Sequence, residues 1–131
     1  MNNREILVRY KWLMEEAWVL SQQAERVLRI GRPAGIAKQE ITGMPRGTND
    51  PTAAGIQAFD GYVKQLKIKA DEIMKICGRF ESVITMLKDD RDRTICRMYY
   101  GLGMTDEQIS RRIHIARQVI TDIRNKAIGK L

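Results

Sequence analysis

The sequence predicts an all-α protein: a long antiparallel, coiled-coil-like helical hairpin followed by a small helix-turn-helix bundle. Three observations carry that expectation. Apolar residues recur at alternating steps of three and four along two long segments, which is the spacing of a heptad seam. The one extended run rich in Gly and Pro, residues 31–50, falls between those segments. The C-terminal third ends in two shorter amphipathic segments separated by a break of about three residues around His114. The expected division is a hairpin domain, 1–88, with helices at about 3–30 and 51–88 joined by the loop 31–50, and a C-terminal domain, 89–131.

Asn2 or Asn3 is placed to cap the first helix, whose seam is Ile6, Tyr10, Leu13, Ala17, Leu20, Ala24 and Val27. Leu7, Met14 and Leu28 widen the stripe, as expected of a helix with more than one packing partner. Trp12 and Trp18 lie off the seam; they are read as resting against a neighbouring helix, or as an exposed contact for a partner protein. In the loop, Pro33, Pro45, Gly31, Gly35, Gly43 and Gly47 make continued helix implausible. Arg46, between Pro45 and Gly47, is read as solvated, or as meeting a phosphate or an acidic partner.

Asp50–Pro51 is a helix start, with Asp as N-cap and Pro in the first helical position. The helix that follows carries Ile56, Phe59, Val63, Leu66, Ala70, Ile73, Cys77, Phe80, Ile84 and Leu87. Two heptad helices joined by one loop most simply fold back on each other, although the same seams would also serve pairing between two chains. Asp89 and Asp90 offer a new cap, Arg91 to Tyr100 reads as a short helix, and Gly101 stands where a helix would close.

Thr105 with Gln108 three residues on has the form of a capping box, and Asp106 and Glu107 put negative charge in the first turn. A helix of about 106–113 is expected, then a turn, then a longer helix of about 116–130 with Val119, Ile120, Ile123, Ala127 and Ile128 inward. Between those apolar positions lie Arg117, Gln118, Thr121, Asp122, Arg124 and Lys126, and Arg111 and Arg112 end the preceding helix. Arg reads guanine, Gln reads adenine, and further cations and hydroxyls hold phosphates. These eight residues are the candidate DNA-binding set. A solvated basic face on two amphipathic helices is the plainer alternative.

The stretch TDEQISRRIHIARQVITDIRNKAIGKL resembles region 4 of sigma-70-type factors, the helix-turn-helix that reads the −35 element of promoters. It can be laid on that family without a gap, and MYYGLGMTDEQ resembles the lead-in helix and Gly-Leu turn of the same domain. The family usually has Gly where this chain has His114, a Ser or Thr cap at Ala116, and an acidic base reader at Gln118. His tolerates the left-handed conformation the turn requires. With the GMPRGT loop, the whole chain also resembles small regulators encoded by phages and prophages of Gram-positive bacteria, some of which activate late phage transcription. The resemblance implies double-stranded DNA as a partner and host RNA polymerase as a second one, with a homo-oligomer left open by the seams.

Composition bounds the remaining classes. The net charge is +7, and residues 91–131 hold nine Lys or Arg against four Asp or Glu, so most of the excess sits at one end. That placement suits a nucleic-acid interface on a near-neutral scaffold. With one His, two Cys and no Cys-x-x-Cys, no metal, cofactor or catalytic set is expected, and the chain does not read as an enzyme. Cys77 and Cys96 fall at apolar helical positions, the pattern of buried reduced thiols in a cytoplasmic protein. No run is long and apolar enough for a membrane span. The expected function is sequence-specific transcription regulation. A DNA-packaging, small-terminase-like recognition subunit and a helical protein–protein adaptor are the alternatives.

Overall fold

The computed structural model describes residues 1–31 and 52–131, and helices make up nearly all of them, with no strand. The order is α1 (Asn3–Gly31), α2 (Thr52–Thr85), α3 (Asp90–Cys96), a π-helical turn (Arg97–Gly101), α4 (Asp106–Ile113) and α5 (Arg117–Gly129). The loop expected at 31–50, with Arg46, lies outside the described residues apart from Gly31, as does the Asp50–Pro51 helix start. The described chain divides into two compact units: Met1–Glu16 with Asp71–Leu131, and Ala17–Ala70. The boundary expected between residues 88 and 89 falls inside the first of these.

In the first unit, Asn2 caps α1, its Oδ1 accepting the Glu5 N–H at 2.9 Å. Ile6, Leu7 and Leu13 of α1 are buried against Ile76, Phe80, Val83 and Ile84 of α2 and Leu87 beyond it. Tyr10 stacks on Phe80 with ring centroids 4.1 Å apart, Asn3 reaches the Met86 sulfur, and Arg9 meets Glu72 at 3.1 Å. The partner of Asn3 thus lies just past the C-terminal end of α2, and those of Arg9 and Tyr10 lie further back along it, the sense of an antiparallel pair. Each fully buried Leu or Ile of this seam contributes about 1.5–3 kcal/mol.

α2 stops at Thr85, short of the expected residue 88. Met86 and Leu87 donate to carbonyls only three residues back, the tightening typical of a last turn, and the Arg93 guanidinium takes the Leu87 carbonyl at 2.7 Å. Asp89 then caps α3, its Oδ1 accepting the Arg91 N–H at 2.7 Å.

The segment read as one short helix closed by Gly101 is instead an α-helix widened into a π turn. Leu102 donates to Arg97, five residues back, and Met104 to Met98, six back. The left-handed residue of this exit is Gly103, at φ 70°, two positions after the expected one. The wider turn carries Tyr100 into the first core, while Tyr99 packs partly buried against both it and a second cluster. That cluster is Ile95, Ile109, Ile120 and Ile123, with Ile95, Ile109 and Ile120 fully buried, and it holds α4 and α5 over α3.

The second unit is described at Ala17–Gly31 and Thr52–Ala70. Leu20 and Ala24 are buried there, and Phe59, Val63 and Leu66 are half-buried. Ile56 and Ile68 are exposed, as are Trp12 and Met14 in the first unit and Trp18 in the second. The two Trp are 62% and 61% exposed, so neither rests against a neighbouring helix among the described residues.

Candidate nucleic-acid interface

The candidate interface is built on α4, the three residues His114–Ala116 and α5. Thr105 accepts the Gln108 N–H at 3.1 Å and the Gln108 amide oxygen accepts the Thr105 N–H at 2.9 Å, so both halves of the capping box are made. His114 closes α4 in the left-handed region, at φ 58° and ψ 42°. It is the one non-glycine residue with positive φ among the described residues. Ala116 then starts α5 without a side-chain cap, as an Ala must.

Two ion pairs fix α5 on the body of the unit. Arg124 is only 14% exposed and Asp106, in the first turn of α4, 16%. The Arg124 Nη2 and Nε donate to the two Asp106 oxygens at 2.8 and 3.2 Å, and its guanidinium lies 3.9 Å from the Tyr99 ring centroid. The Thr121 hydroxyl donates to Asp106 Oδ2 at 2.7 Å, with the Arg117 carbonyl at 3.2 Å as its other acceptor. Burial alone would raise the Asp106 carboxyl. Hydrogen bonds from Arg124 and Thr121, with the charges of Arg124 and Arg117, outweigh it and hold the group below its usual range. At the far end of α5, Lys130 reaches the buried Asp92 at 2.8 Å, and this contact raises the Lys130 ammonium.

The eight candidate residues therefore separate by environment. Arg112, Arg117, Gln118, Asp122 and Lys126 are exposed. Arg111 is exposed too but paired with Glu107 one turn back at 2.6 Å, an arrangement worth only a few tenths of a kcal/mol. Gln118 and Asp122 share one stripe of α5, the amide donating to the carboxylate at a long 3.4 Å. Thr121 is half-buried and Arg124 nearly enclosed, both turned to Asp106 rather than outward.

Two residues of α5 were not in that set. Asn125 is exposed and lies seven residues after Gln118, on the stripe of Gln118 and Asp122. Val119 was expected inward but is 43% exposed, because Ile120, Ile123 and Ala127 already fill the buried side. Asn can bond adenine and an apolar side chain can meet a thymine methyl. The spacing from Gln118 was the signal for Asn125.

Of the two thiols, Cys96 is buried, and desolvation pushes it up to about 11; Cys77 is half-buried beside Tyr10 rather than fully enclosed. Among the described residues no three His, Cys, Asp or Glu side chains group as metal ligands, and no helix is long and apolar enough to cross a membrane. No protein-family model, curated protein or solved structure matches this chain.

Proposed function

We propose that the protein binds double-stranded DNA through α4 and α5 as a helix-turn-helix, and regulates transcription in the manner of small phage or prophage regulators. In this reading α5 enters the major groove, Arg117 and Gln118 at its start meet base edges with Asp122 and Asn125 behind them, and Arg112 and Lys126 hold the phosphates. Arg111 adds a phosphate contact when it leaves Glu107.

The observation that carries the reading is the connection itself. A box-capped helix ends on a left-handed His114, and three residues later a second helix begins with its polar side exposed. Arg112, in the last turn of α4, and Lys126, on α5, are exposed cations available to phosphates. Helices α1 and α2 are the part we assign to a protein partner, host RNA polymerase or a second copy of the chain. The exposure of Trp12 and Trp18 supports that assignment.

The test is a titration of duplex DNA selected by the protein. Arg117→Ala and Gln118→Ala should each cost about 1–3 kcal/mol at the selected site and relax preference there. Arg112→Ala and Lys126→Ala should weaken binding to every duplex alike. Unchanged affinity and preference in Arg117→Ala would remove α5 as the recognition helix.

A further inference from the structure

The set Asp106, Thr121, Arg124 and Tyr99 has more in it than a packing role requires. Arg117, Thr121 and Arg124 follow one another at steps of four and three, so they line one flank of α5. Of these, Arg117 is exposed while Thr121 and Arg124 are drawn to the Asp106 carboxylate, and Arg124 also lies over Tyr99. The flank of a recognition helix is where groove walls, and hence phosphates, come closest. Past the first turn, whose residues meet base edges, a guanidinium and a hydroxyl on that flank would ordinarily be phosphate ligands. Here one carboxylate holds both.

We propose that Asp106 is a specificity-setting positioning residue: it withholds Arg124 and Thr121 from the DNA backbone and so reduces sequence-independent affinity relative to affinity for the preferred site. The inference rests on the DNA-binding reading of α5. Its physical basis is that each phosphate neutralised by a cation adds to binding of every sequence alike, whereas base-edge contacts add only at the matching site. An internal counter-ion for Arg124 removes one such backbone contact and leaves Arg117, Gln118 and Asp122 exposed. It also fixes the angle at which those three are presented, because the pair joins the start of α4 to the middle of α5.

The test is the salt dependence of binding by the full chain, measured on its selected duplex and on a random duplex of equal length. In Asp106→Asn the released Arg124 should steepen the slope of log K against log salt by ~0.9, one added phosphate contact. Affinity for the random duplex should rise more than affinity for the selected one, so the ratio of the two falls. The double variant Asp106→Asn with Arg124→Gln should return the slope to the wild-type value. A purely structural role for Asp106 would lower both affinities, leave the slope unsteepened and show no reversal by Arg124→Gln.

The double variant also stands alone if Asp106→Asn does not fold. It removes the pair without net charge change, so its slope should equal that of the wild type. A slope lower by ~0.9 would mean that Arg124 already contacts phosphate, and would overturn the proposal. Wild-type protein that binds neither duplex would instead overturn the DNA-binding reading beneath it.

Discussion

The Asp106 carboxylate, in the first turn of α4, lies 2.8 Å from the Arg124 guanidinium in the middle of α5, and neither side chain is more than 16% exposed. That pair, with the Asp92–Lys130 contact at the other end, ties α5 to the rest of its unit by charge as well as by Ile120 and Ile123.

Acid should loosen this tie. Asp106 is held below its ordinary carboxyl value in the folded state, so its contribution is present above the unfolded value and lost as pH falls through the folded one. The melting temperature should therefore decline below about pH 4. Glu81, lowered chiefly by its hydrogen bond from Arg97, and Asp89, lowered chiefly by the Arg91 N–H, add to the same decline. In Asp106→Asn the decline should be shallower. An acid limb identical to that of the wild type would show that the pair adds nothing to the folded state.

The left-handed turn makes a second prediction. A non-glycine residue at φ 58° carries a conformational cost that glycine avoids, of order 1 kcal/mol. His114→Gly should leave urea stability unchanged or raise it by up to about 1 kcal/mol, whereas His114→Val should lower it by more than that. Clear destabilisation by His114→Gly would mean that the imidazole makes a contact that outweighs the strain.

Neighbouring residues of α5 should respond oppositely to truncation. Ile120 is fully buried and Val119 is 43% exposed. Ile120→Ala should cost about 2–5 kcal/mol, and Val119→Ala less than about 0.5 kcal/mol. Equal costs would contradict the orientation of the helix.

The thiols give a chemical check. Cys96 is enclosed, with its thiol pushed to about 11, while Cys77 is half-buried. A thiol-specific alkylating reagent should label Cys77 first in the native protein and Cys96 only on unfolding. Labelling of Cys96 at the rate of Cys77 would show that the first core opens far more readily than its packing implies.

Much of this was legible in the sequence because the signals are local. Thr105 and Gln108 are three residues apart, and Asp89 lies two before its partner N–H, so the chain itself brings each pair together. His114 is compatible with a left-handed turn because His is among the non-Gly residues that tolerate that conformation. The fate of Arg124 was not readable, since its partner Asp106 is 18 positions away and α4 must first pack on α5. Without that partner, Arg124 looks like any cation on an amphipathic helix. A valine at position 119 fits the buried stripe by sequence equally well, and only the filling of that stripe by Ile120, Ile123 and Ala127 excludes it. The π turn has no local signature in Arg97–Gly101.

The most direct test of DNA reading by α5 is selection of bound duplexes from fragmented phage and host DNA at two salt concentrations. Recovery of one short site at both concentrations, lost in Arg117→Ala with Gln118→Ala, is the expected result. A site upstream of a gene block would fit transcription regulation, and one beside packaging genes would fit a packaging subunit. Equal, salt-sensitive capture of every fragment, or no capture at low salt, would contradict sequence-specific binding.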